Sequence, residues 1–181
     1  AVGDGALGFW AALRKMFPET REQRCWVHKT ANVLNNLPKS VQPRAKAVLH
    51  EIWQSETRQA ANQAFDDFLE KYGAKFEGAC ECLKKDREVL LTFYDFPAEH
   101  WKHLRTTNVV ESPFAAVRLR TSAAKRFKRV ESATALIWKL LLVAEKRFRR
   151  LDAPHLLKDV FEGRKFEDGK PVSLNQRKNA A

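Results

Sequence analysis

Two carboxylates stand where a hard cation could be held. Asp4 ends the apolar run "AVG" and precedes a helical pattern, so it falls at the C-terminal end of an expected strand. There it either caps the following helix, accepting from open N–H groups, or offers oxygen to a divalent cation. Glu111 lies in "RTTNVVESPFAAVRLRT", residues 105–121, just upstream of a strongly basic stretch. Its spacing from Asn108 fits a capping box with Asn108 as N-cap, and Ser112–Pro113 offers a competing helix start. The other reading is a metal ligand facing a phosphate, with Arg118 two turns along the same helical face. "CWVH" sets Cys25 three residues before His28. A structural zinc site needs four ligands, so this pair is a weak signal even with Cys80, Cys82, His100 and His103 as further donors. Trp101 is either a core side chain or a platform for a nucleic-acid base.

The positive charge is concentrated. The formal net charge is +11 over 181 residues, and residues 118–150 carry eleven Lys/Arg against only Glu131 and Glu145. Arg118, Arg120, Lys125, Arg126, Lys128 and Arg129 lead that run, with Phe127 among them. Such a run is either a solvated face or a phosphate-binding one, and its one-sided clustering favours the second. A pI of about 9.8 points to a polyanionic partner, nucleic acid in the first place. Three cysteines make no even disulfide framework, which favours a reducing interior. No apolar run reaches the ~18 residues of a membrane span, and no signal peptide opens the chain. The chain starts without Met inside an expected strand, so a piece of something longer is expected.

The elements that must position these residues read as mostly helical with a small β component. Residues 1–3 read as the tail of a strand, and "DG" as the turn leaving it. A helix over 6–17 is stopped by Pro18. Residues 24–28 read as a short strand, and 29–37 as a helix ended by Pro38. From 42 to 93, Ala, Glu, Lys, Gln and Leu dominate, and Ile52, Trp53, Ala60, Ala61, Ala64, Phe65 and Phe68 fall on helical faces. Several short-linked antiparallel helices follow from that pattern. Pro97 marks a break, a helix carries Glu111 or starts just after it, and 133–151 is an amphipathic helix. The polar end from about 163 is expected to fray.

Three stretches then carry a resemblance: "DGALGFWAALRKMFPETREQRCWVHKTANVLNNLPKS", "LLTFYDFPAEHWKHLRTTNVVES" with its continuation "FAAVRLRT", and "TALIWKLL" through "AEKRFRRL" to "KFEDG". In this order they resemble the mutator-type transposases of bacterial insertion sequences. The resemblance implies a partial ribonuclease-H-like α/β core interrupted by an α-helical insertion, and an Asp-Asp-Glu triad. Asp4 matches the second Asp and Glu111 the Glu. Cys25 and His28 match the C-x-x-H signature, Trp101 the insertion Trp, Asn108 the "TTN" leader, and Arg118 the basic residue beyond the Glu. It implies Mg²⁺ (or Mn²⁺) as cofactor and DNA, both transposon ends and target, as partner. It also implies a homodimer or higher assembly in the full-length enzyme, no membrane, and the bacterial cytoplasm. The implied organisation is the second half of the core over 1–37, the insertion over 38–103, returning core helices with a basic face over 104–151, and a tail over 152–181. No counterpart of the first Asp stands before Asp4, so this chain, a C-terminal fragment on this reading, is expected to be inactive alone. Pro113 departs from the family pattern, which has a small polar residue there. The competing expectation is a non-catalytic basic helical DNA-binding module.

Overall fold

A computed structural model of the chain describes residues 1–173. Among them the fold is mostly α-helical, with two small two-stranded sheets. Strand β1 (Val2–Gly3) pairs in parallel with β2 (Gln23–Arg24), and helix α1 (Leu7–Met16) crosses between them. Helix α2 (Trp26–Leu34) begins two residues after β2. The expected strand over 24–28 therefore stops at Arg24, and the helix starts earlier than residue 29. Cys25 is extended and occupies the N-cap position of α2, and Lys29 N–H already bonds to Cys25 C=O (3.0 Å). Helical spacing puts Trp26, Thr30 and Val33 on one buried face. A short aromatic and β-branched run does not by itself distinguish a strand from a buried helix start.

Helices α3 (Gln42–Gln54), α4 (Arg58–Gly73), α5 (Glu77–Lys84) and α6 (Arg87–Leu90) follow. Two 3₁₀ turns and α7 (Trp101–Leu104) then complete this layer. A single core holds Trp26, Val33 and Leu37 together with Leu49, Ile52, Phe65, Phe68, Leu83, Phe93 and Trp101. Burying apolar area on this scale is the main favourable term in folding. It ties the residues around α2 to the helices expected as an insertion, so both belong to one compact unit. Among the described residues that unit comprises 1–106 and 152–173.

Its C-terminal part adds α10 (Leu156–Phe161) and an antiparallel hairpin, β3 (Phe166–Glu167) with β4 (Lys170–Pro171). The expected fraying from residue 163 does not occur over this stretch. Phe166 is buried, and both backbone groups of Gly169 bond to Tyr94 C=O and Ala98 N–H (3.2 and 3.1 Å). The remainder of the expected tail, from residue 174, lies outside the described residues.

The second unit, residues 107–151, is a pair of packed helices, α8 (Asn108–Ala123) and α9 (Val130–Glu145). Lys125 takes φ 58° in the loop that joins them. Helix α9 begins three residues before the expected 133 and ends six before 151, so the basic residues 146–150 follow the helix rather than continue it. Val117 is buried, whereas Val110, Leu119, Trp138 and Val143 stand largely exposed. No helix of the described residues is long and apolar enough to cross a membrane.

Candidate active site

Asp4 sits directly after β1. Its Oδ1 accepts from the backbone N–H of Ala6 (3.0 Å), a side-chain turn two residues long. The N-cap residue of α1 is Ala6 itself, and no side chain caps that helix. Asp4 therefore shapes the turn ahead of α1 rather than capping it, and its carboxylate is exposed.

The turn is built around Arg24 of β2. Gly3 C=O accepts from Cys25 N–H (2.8 Å) and lies 3.4 Å from Arg24 Nη1. Gly5 takes φ +100°, and a Cβ there would fall 2.2 Å from Arg24 Cζ. Only glycine accommodates both demands. Arg24 is buried, and its Nε faces Asp86 Oδ2 at 3.3 Å. Lys29, also buried, pairs with the same Asp86 oxygen and donates to Cys82 C=O (2.7 Å). Cys25 Sγ and His28 Nδ1 lie 3.2 Å apart one turn into α2, and the three cysteines form no disulfide.

Sequence reasoning missed Arg24, Asp86 and Arg105. Arg105 lies over the rings of Phe93, Trp101 and Trp53, at 4.5, 5.1 and 5.7 Å. Burial pushes its pKa down, and its Nε is buried without a hydrogen-bond partner. Its C=O accepts from Trp26 N–H (2.9 Å). Trp101 is 9% exposed, donates its indole N–H to Phe96 C=O (2.9 Å), and meets Phe93 and Tyr94 edge-on. The ring is thus packed in the core. The signals for Arg105 were its proximity in sequence to Trp101 and the aromatic density of 93–101; Asp86 carried none.

In the second unit, Glu111 is half-buried on α8, and Thr107 Oγ1 hydrogen-bonds its carboxylate. The N-cap of α8 is Thr107, not Asn108, and the expected capping box is absent. Val110 and Glu111 N–H groups both bond to Thr107 C=O, so the helix is under way before Ser112. Pro113 lies inside α8, where it removes one backbone donor. Arg118 and Arg120 are exposed on α8, as are Lys125, Arg126, Lys128 and Arg129 in the following loop.

Asp4 and Glu111 belong to different compact units. Among the described residues no three His, Cys, Asp or Glu side chains gather as a ligand set. Mg²⁺ keeps several waters and takes few protein ligands. Asp4, exposed and with only one oxygen engaged by Ala6, is a donor of that kind.

The chain belongs to the Mutator family of transposases, whose model matches residues 1–150. It is 55% identical over 174 residues to the transposase for insertion sequence element IST2 of Acidithiobacillus ferrooxidans, covering 96% of this chain and 59% of that protein. It is 49% identical over 170 residues to the transposase for IS6120 of Mycolicibacterium smegmatis, covering 94% and 53%. The chain thus spans little more than half the length of these relatives.

Proposed function

We propose that this chain supplies part of the catalytic apparatus of a DNA transposase, which cleaves and transfers strands at the ends of an insertion sequence in the bacterial cytoplasm. The observation that carries the reading is the family match, whose span of residues 1–150 includes both Asp4 and Glu111. On this reading residues 1–37 and 104–151 contribute to a ribonuclease-H-like core and 38–103 are its helical insertion. Asp4 and Glu111 would hold Mg²⁺ or Mn²⁺. Divalent cations, when bound, supply charge neutralisation at phosphorus and activation of the attacking hydroxyl.

The chain's own residues do the rest. Asp4 presents oxygen to solvent at a strand end, fixed by the Ala6 N–H. Thr107 orients the Glu111 carboxylate by a hydrogen bond one turn before it. The exposed Arg118, Arg120 and the loop Lys125–Arg129 bind the DNA backbone, and the full-length protein acts as a homodimer or higher assembly.

Two of the three expected acids are present in these residues. Incubated alone with Mn²⁺ and terminal-repeat DNA, the chain is expected to leave the DNA intact; clear nicking would overturn that expectation. Grafted in place of the matching segment of the Acidithiobacillus relative, it is expected to support strand cleavage. Asp4→Asn or Glu111→Gln in the graft should lower the rate by at least about a hundredfold, since each removes charge from the metal site. Cleavage that survives both substitutions would reject the assignment. The second reading, a basic DNA-binding module, is favoured by the eleven basic residues of 118–150. It predicts DNA binding by a graft that never cleaves.

A further inference from the structure

We infer that Arg24 is a positioning residue for Asp4, and that through it the helical layer is coupled to the acid-bearing turn. The inference rests on the reading of Asp4 as a metal ligand. The connection is a chain of contacts within one compact unit. Asp86, between α5 and α6, holds the Arg24 guanidinium at Nε (3.3 Å). The other side of that guanidinium faces Gly3 C=O (3.4 Å) and fills the space beneath Gly5. Gly3 and Gly5 flank Asp4 in sequence, so the guanidinium fixes the backbone on both sides of the acid.

The local chemistry suits that task. A guanidinium is planar and always charged, and its donors form a rigid fork. One edge meets the Asp86 carboxylate and an end nitrogen meets a carbonyl, which a flexible ammonium does not reproduce. Lys29 shares Asp86, so the two buried cations are held around one anion donated by the helical layer. Groups behind a ligand commonly set its orientation and the affinity of the ion it holds. Nothing in the sequence pairs Arg24 with Asp86, which lies 62 residues away.

The test uses the whole chain, labelled with ¹⁵N and titrated with Mn²⁺ alone. Paramagnetic broadening of the Gly5 and Ala6 amides reports cation residence at Asp4. Wild type should show it and Asp4→Asn should not. Arg24→Lys, which keeps the charge, should raise the Mn²⁺ needed for half-broadening roughly tenfold. It should also speed hydrogen exchange at Ala6, whose N–H bonds to Asp4, while the melting temperature and the remaining cross-peaks hold. A purely structural role would instead lower the melting temperature and leave the Mn²⁺ midpoint of the folded fraction in place. If Arg24→Lys titrates like wild type while Asp4→Asn abolishes broadening, the inference is overturned and the Asp4 reading stands. If Asp4→Asn broadens like wild type, the Asp4 reading fails and takes the inference with it. Should Arg24→Lys not fold, Asp86→Glu keeps an anion for the buried Lys29 while displacing it from the Arg24 guanidinium, and is expected to shift the midpoint in the same direction.

Discussion

Tyr94 packs against Phe93 and Trp101, two of the rings that face Arg105, and has no exposed surface. Its hydroxyl donates to Ser55 C=O (2.8 Å), and its ring meets Trp101 edge-on at 4.9 Å. Burial pushes its phenol pKa from 10.0 up to about 12. Below about pH 10 the phenol is neutral whether the chain is folded or not. Between about 10 and 12 the unfolded chain has released the proton and the folded chain still holds it. The folded state then binds more protons, so stability falls as pH rises through that window. Tyr94→Phe removes both the hydrogen bond and the titration. At neutral pH it should cost about 1 kcal/mol, the net worth of one such bond. Urea midpoints of the two proteins should converge as the pH climbs above about 10 and cross before about 12, because a pKa rise from 10.0 to about 12 outweighs one hydrogen bond. A gap that stays constant to about pH 12 would mean the phenol titrates alike in both states.

At the scale of elements, the β3–β4 hairpin does more than end the chain. Asp168 Oδ1 accepts from Arg58 N–H (2.7 Å) at the start of α4, and Thr57 Oγ1 accepts from Ala60 N–H (3.1 Å). Two of the helix's open donors are thereby satisfied, one from 110 residues away. Asp168 and Gly169 take φ 47° and 77°, the signs a two-residue hairpin turn requires. A Cβ on Gly169 would lie 2.5 Å from Ala98 Cβ and 2.8 Å from Ala98 N. Asp168→Ala should therefore cost about 1–2 kcal/mol through the lost cap. Gly169→Ala should cost about 2 kcal/mol or more, because backbone strain and a clash with main chain act together. Thermal melts of both variants check the order; a milder Gly169→Ala would show that the hairpin lifts off without loss.

These contacts also mark what was legible in the sequence. The strand ending just before Asp4, the stop of α1 before Pro18, and the helices of 42–93 follow from local pattern, because periodicity and proline act locally. The candidate site is a different matter: local spacing leaves Asp4 and Glu111 open to helix capping, and only the family resemblance singles them out as ligands. The four residues of "CWVH" carry no period, so the sequence does not separate a strand at Trp26 from the start of a buried helix. In the tail "EDGK" holds a hairpin signal, but strands of two residues leave no alternation to see, and polar composition points instead to fraying. Arg24 and Asp86 were illegible as partners. Their roles arise only when segments distant in sequence meet.

For the molecule as a whole, the question is whether its charge acts as a localised footprint or as a diffuse field. All eleven basic side chains between 118 and 150 are exposed, and all lie in the 107–151 unit. Each phosphate contact releases bound counterions, which lowers log K against log salt by about 0.9 per contact on duplex DNA. Replacing Arg126, Lys128 and Arg129 with Ala removes three charges from the loop between α8 and α9. Replacing Lys39, Arg44 and Lys46, equally exposed in the other unit, removes the same charge elsewhere. Long-range attraction depends on net charge and treats the two triple variants alike. Contact does not: the loop variant should reduce the salt slope of DNA binding by about 2–3, and the other by less than about 1. Fluorescence anisotropy on a duplex across a salt series measures both. Equal slopes would mean that the basic helix pair attracts DNA without holding it, and the assignment of Arg126, Lys128 and Arg129 as backbone contacts would fall.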